Sequence, residues 1–156
     1  MLNWILDENV LQLAFEAPCG NEAAQSAAAR VLDFVQMRGR WVFTPDVSEH
    51  YLSKWRASTC RTPLTVRRFK SFMESPWDSE RHLLYRTVEP VDGRFHDDDD
   101  FIVSAAAAAG AGSILVTEDG RLRRKLAELG IPAGYGFEVV DVAGALALQA
   151  KLEVAE

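Results

Sequence analysis

The 156-residue chain has few cysteines, few histidines and no long apolar run. Its two cysteines, Cys19 and Cys60, make no metal-ligand spacing and are expected to be reduced thiols of a cytoplasmic protein. Its three histidines, His50, His82 and His96, lack the His/Cys spacing of a zinc site, and only His96, beside a run of aspartates, invites consideration as a ligand. No stretch approaches the ~20 apolar residues of a membrane-spanning helix. Asp7 and Glu8 come early and no basic region precedes them, so no secretory signal is expected. The phosphate-loop pattern GxxxxGK(S/T) and the nucleophile pattern GxSxG are both missing. Gly110 and Gly112 precede a strand, whereas a dinucleotide-binding glycine fingerprint follows one. There is no internal repeat and no linker. Basic residues are the minority, 17 against 23 acidic, for a formal net charge of −6. That balance argues against a general nucleic-acid coat protein but not against an enzyme that meets nucleic acid through a local basic patch.

What is present is an ordinary globular composition, 48% hydrophobic and 26% charged, in a chain of single-domain length, 1–156. Short apolar runs read as strands at Leu2–Leu6, Trp41–Phe43, Tyr85–Val88, Ser113–Thr117 and Phe137–Val140. Helices are expected between them: Val10–Ala17, a helix capped by Asn21 that ends near Gly39, one started by Thr44 and Pro45, and one from Thr62 and Pro63 through Met73. A short helical piece at Ser79–Leu84, an alanine-rich helix at Phe101–Ala109, one at Gly120–Leu129 capped by Asp119, and a last one from Asp141 to about Val154 complete the pattern. Strands alternating with helices imply an α/β fold, a three-layer α/β/α sandwich around a mainly parallel sheet.

Carboxylates fall where that fold forms sites, at the C-terminal ends of strands. Asp7 closes the first strand. The run Asp97 to Asp100 opens a helix, and Asp119 follows the strand after it. Each has an ordinary alternative: Asp7 as a helix cap or a surface acid, Asp119 as a cap, Glu49 as a solvated helix acid, and the aspartate run as a solvated loop that caps the Phe101 helix, which helix electrostatics favour. Taken together they would repel one another without a cation, and a hard divalent ion takes oxygen ligands. Residues 51 to 72 hold Lys54, Arg56, Arg61, Arg67, Arg68 and Lys70 and no acid, either a phosphate-binding face or a solvated one. The cluster Arg121, Arg123, Arg124 and Lys125 reads as a helix surface, with contact to a substrate as the alternative.

These residues carry a resemblance. WILDENVL, TPDVSEHYL, DDDDFIVSAAAAAG and ILVTEDGRL, in this order over most of the chain, resemble the PIN domain, the fold of many metal-dependent ribonucleases, including toxins of toxin–antitoxin pairs. The last two segments are the more specific. The resemblance implies an acidic quartet for Mg2+ or Mn2+: Asp7, Glu49, one of Asp97 to Asp100, and Asp119. Counting back from Gly110 favours Asp99 as the third acid, and counting from Phe101 allows Asp98 instead. Glu8 departs from the family's usual small hydroxyl residue, as does the unbroken aspartate run. Asn9, Asp98 and Thr117 would support the site, Thr117 by a hydrogen bond to a carboxylate.

The implied activity is endonucleolytic hydrolysis of RNA phosphodiester bonds. Carboxylate-held ions would make a water nucleophilic and stabilise charge on phosphate, so neither serine nor histidine nucleophile is needed. Single-stranded RNA is the expected substrate, because its backbone bends into a narrow acidic pocket, with Arg56, Arg67, Arg68 and Lys70 guiding phosphates. An antitoxin protein and a second copy of the chain are the expected protein partners, and no membrane. The competing readings are a PIN-like RNA- or protein-binding module with weak or no catalysis, and a phosphoryl-transfer or receiver-type domain. The latter wants a nucleophilic Asp on a mid-chain strand and a trailing Lys, which are not found.

Overall fold

The computed structural model describes residues 2–16, 21–43, 50–53, 55, 62–74, 82–84, 95 and 97–155. The chain alternates strand and helix: β1 (Asn3–Leu6), α1 (Glu8–Glu16), α2 (Glu22–Arg38), β2 (Arg40–Phe43), α3 (Pro63–Glu74), β3 (His82–Leu84), α4 (Asp97–Ala109), β4 (Ser113–Val116), α5 (Gly120–Leu129), α6 (Ile131–Tyr135), β5 (Phe137–Val140) and α7 (Val142–Ala155). Residues 50–53 are also helical. Local chemistry sets the helix ends. The Asn21 side chain accepts from Ala24 N at 3.1 Å, and Thr62 and Thr65 exchange reciprocal hydrogen bonds at the start of α3. Gly130 takes the left-handed conformation, φ 66°, that ends α5.

The strands form one parallel sheet of five, in the order β3-β2-β1-β4-β5. Side chains of successive strand residues point to opposite faces. Trp4 to Leu6 of β1 and Ser113 to Val116 of β4 are buried without alternation, so both faces at the centre of the sheet are covered. Helix α4 contacts β1, β2, β4 and β5, while α2 packs on α1, α7 and β2. The result is the three-layer α/β/α sandwich, with a core that runs from Trp4, Leu6 and Phe15 through Val31 and Leu32 to Leu115 and Leu126. Gly39 lies against Trp4, where a Cβ would come within 2.6 Å of the indole Cδ1. Close approach, rather than backbone conformation, calls for glycine at that position.

The structure departs from the sequence expectation at three places. His82–Leu84 pairs with β2 as a strand, with Trp41 opposite His82, where a short helical piece was expected. Pairing to an existing edge decides between two states that three residues cannot distinguish on their own. The strand expected at Tyr85–Val88 lies outside the described residues. Helix α4 begins at Asp97, not Phe101, so the aspartates form its first turn, where carboxylates interact favourably with the helix dipole. Residues 131–135 after Gly130 form the short helix α6, with Pro132 near its start, where proline is tolerated.

Among the described residues, no helix is long and apolar enough to cross a membrane.

Candidate functional site

The chain builds β1, β2 and β3 outward on one side, then returns to place β4 beside β1. The order reverses between β1 and β4, and the crevice beyond their C-terminal ends is where ligands bind in open α/β sheets. Register puts Leu6 opposite Val116, so the next residue of each strand, Asp7 and Thr117, leaves the sheet side by side. Asp7 N donates to Val116 O at 3.0 Å and Thr117 N donates to Val140 O at 2.9 Å.

Thr117 is fully buried and Asp7 is 8% exposed. The Thr117 hydroxyl donates to Asp7 Oδ2 at 2.7 Å and accepts from Asp119 N at 3.1 Å. Asn9 Nδ2 donates to both Asp7 Oδ2 and Thr117 Oγ1, each at 3.2 Å, and Asn9 Oδ1 accepts from Glu118 N at 3.1 Å. Glu8 N donates to Asp7 Oδ1 at 2.8 Å. The two strand ends are thus tied by side chains as well as by the sheet. Burial pushes the Asp7 carboxyl up from 3.8 to about 6, the Glu8 and Asp99 charges add to the rise, and the hydrogen bonds from Thr117 and Glu8 N oppose it.

Asp99 and Asp119 line a cavity of about 290 Å³ together with Arg121, Leu122 and Lys125. That size is near the lower end of small-ligand pockets, roughly 300–1,000 Å³. Asp119 is also the N-cap of α5: its Oδ1 accepts from Arg121 N at 3.0 Å and Leu122 N at 3.1 Å. Its Oδ2 has no protein hydrogen-bond partner among the described residues. Asp100 is turned from Asp99 by roughly the 100° that one residue advances a helix. Its Oδ1 accepts from Ser104 Oγ at 3.5 Å, one turn along.

The structure therefore brings together Asp7, Asn9 and Thr117 by direct hydrogen bonds, Asp7 and Asp99 by electrostatic interaction, and Asp99 and Asp119 by a shared cavity. Glu49, Arg56, His96 and the side chain of Asp98 lie outside what is described. Arg67 and Lys70 are exposed on α3 and Arg68 is half-buried.

Three features escaped sequence reasoning. Helix α5 turns Arg121 and Lys125 toward the same cavity as Asp99 and Asp119, so the acids there have basic neighbours. His50 Nε2 contacts Glu8 Oε2, two side chains far apart in sequence that are only partly exposed. Tyr51 is buried beside them, and burial together with the Asp7 and Glu8 charges pushes its hydroxyl well above its usual 10. Only the spacing of Arg121 and Lys125 around Leu122, a buried residue of the same helix, hinted at any of this.

The donors are all oxygens, which suits a hard divalent ion such as Mg2+ or Mn2+. A carboxylate raised by burial and further by neighbouring acids, and a second carboxylate with an oxygen to spare, are groups that such an ion would stabilise. Among the described residues, no three Asp, Glu, His or Cys side chains stand close enough together to hold a metal ion. Comparisons of the chain with protein-family models, with curated proteins and with solved structures give no match.

Proposed function

We propose that the protein is a divalent-metal-dependent endoribonuclease of the PIN type, acting on single-stranded RNA in the cytoplasm. The observation that carries this reading is the buried Asp7–Thr117 pair at the strand-order reversal, where burial raises the Asp7 carboxyl and the Asp99 charge adds to the rise. Asp7, Asp99 and Asp119 would hold Mg2+ or Mn2+, with Glu49 as the fourth acid that the PIN resemblance implies. A bound ion of this kind makes a water nucleophilic at neutral pH and stabilises charge on phosphate. The chain's own residues do the remaining work. Thr117 and Asn9 fix the Asp7 carboxylate, and Asn9 ties it to the loop after β4 by accepting from Glu118 N. The Asp119 cap fixes its own carboxylate at the start of α5, while Arg67, Arg68 and Lys70, with Arg56, guide the RNA backbone. A toxin role with an antitoxin partner, and a homodimer, belong to the same reading.

A PIN-like binding module with weak or no catalysis is the second reading. It is favoured by the lack, among the described residues, of three close metal-ligating side chains. Purified protein incubated with mixed RNAs, with Mn2+ or with EDTA, separates the two. The nuclease reading expects Mn2+-dependent cleavage that Asp7→Asn and Asp99→Asn each abolish, in proteins still folded by circular dichroism. It expects Asp100→Asn, whose parent side chain bonds Ser104, to retain most activity. No cleavage by the wild type with either metal, and unchanged partner binding by Asp7→Asn, would leave the module reading in its place.

A further inference from the structure

Four basic residues follow Asp119, and the fold sorts them into two pairs. Arg123 Nη1 donates to Thr117 O at 2.7 Å and Arg124 Nε donates to Gly120 O at 3.2 Å, so these two are engaged with backbone carbonyls. Arg121 and Lys125, four residues apart on one face of α5, line the 290 Å³ cavity with Asp99 and Asp119. The Lys125 ammonium stands 4.6 Å from the centre of the Phe95 ring, a placement that favours a cation there.

We propose that Arg121 and Lys125 hold a backbone phosphate of single-stranded RNA in the cavity they share with Asp99 and Asp119. This rests on the nuclease reading for the identity of the ligand. The charge balance of the cavity supplies the argument. Two carboxylates and two cations offset one another there. A divalent ion taken up by the carboxylates leaves the cavity with an excess of two positive charges, and the single negative charge of a phosphodiester offsets half of it. Arg presents a planar fork suited to phosphate oxygens and Lys a compact point charge. The same two side chains therefore compete with the metal for the carboxylates and cooperate with it for the phosphate. These are substrate-positioning residues, and the guiding face on α3 is separate from them.

The opposing signs make the proposal testable. The variants are Arg121→Gln, Lys125→Gln, their combination, and Arg124→Gln as control. The probes are MnCl2, followed by thermal shift, and a short single-stranded 2′-O-methyl oligoribonucleotide titrated across a salt series, with its integrity checked by gel. In the double variant, oligonucleotide affinity should fall about ten-fold in Mn2+, and its salt slope should drop by about 0.7, the loss of one single-strand phosphate contact. Mn2+ affinity should rise several-fold in the same protein. The exposed Arg121→Gln alone should shift both quantities in the same directions, which covers a double variant that folds poorly. Oligonucleotide affinity and slope equal to those of Arg124→Gln, or no oligonucleotide binding by the wild type, would overturn the proposal, as would unchanged or weakened Mn2+ binding. Cleavage by the double variant at wild-type kcat/KM overturns it while leaving the nuclease reading intact. Weakened oligonucleotide binding in a protein that never cleaves RNA supports the phosphate site and removes the nuclease reading instead.

Discussion

At the scale of the residue, Asp7 carries opposing demands. Its hydrogen bonds from Thr117 and Glu8 N favour the carboxylate, yet burial and the charges of Glu8 and Asp99 outweigh them and raise the group to about 6. The folded state then binds the Asp7 proton more tightly than the unfolded chain does, so the metal-free protein loses stability as pH rises from about 4 through about 6. The size of that loss is about 3 kcal/mol by the usual 1.36 kcal/mol per pH unit. Asp7→Asn cannot ionise. Its metal-free stability, measured by urea unfolding in EDTA, should stay nearly flat over that window and exceed the wild type's at pH 7. A wild type that instead gains stability between pH 4 and 6, by a step missing in Asp7→Asn, would show that Asp7 is a stabilised carboxylate.

At the scale of the element, Asp119 has two separable tasks. Oδ1 caps α5 through Arg121 N and Leu122 N, while Oδ2 has no protein partner among the described residues. Asp119→Ala removes both the cap and the charge and should cost about 0.5–2 kcal/mol of stability. Asp119→Ser keeps a capping oxygen, so its melting temperature without metal should remain near the wild type's while Mn2+ affinity and RNA cleavage fall. Equal Mn2+ affinity in Asp119→Ser and wild type would reduce Asp119 to a cap. Helix α4 teaches a related lesson: starting at Asp97 puts four acids in one turn, but the helical advance aims Asp99 at the cavity and sends Asp100 to Ser104.

At the scale of the whole molecule, the carboxylates Asp7, Asp119 and Asp99 come from the residue after β1, the loop after β4, and α4, segments far apart in sequence that the proposed site would join. An ion held by that set binds the native state and not the unfolded chain, so it should stabilise by mass action. Mn2+ at about a hundred times its dissociation constant should add about 2.7 kcal/mol. Differential scanning fluorimetry in EDTA and in millimolar Mn2+ measures the shift. It should shrink in Asp99→Asn as well as Asp7→Asn, because the proposed site uses both carboxylates. An unchanged melting temperature in millimolar Mn2+ would count against a metal site of any composition here.

The alternation of short apolar runs with helix signals determined the α/β class by itself, because burying a strand on both faces demands a short unbroken apolar run and the helices between such runs are marked by their caps. Caps were legible for the same local reason: Asn21, Asp119 and Asp141 each bond backbone N–H groups within a few residues of themselves. The three-residue β3 was not legible, since its state comes from pairing with β2 rather than from His82, Leu83 and Leu84. The aspartate run named a region and counting back from Gly110 favoured Asp99 within it, while the cavity that Asp99 lines comes from the start and rotation of α4 against α5. The Glu8–His50 contact and the sorting of the four basic residues of α5 into backbone-bound and cavity-lining pairs belong wholly to tertiary structure. Spacing along the chain records what a residue does to its neighbours within a turn. Which charges share a cavity depends on sheet order, strand register and helix rotation, and those are set by packing across the whole molecule.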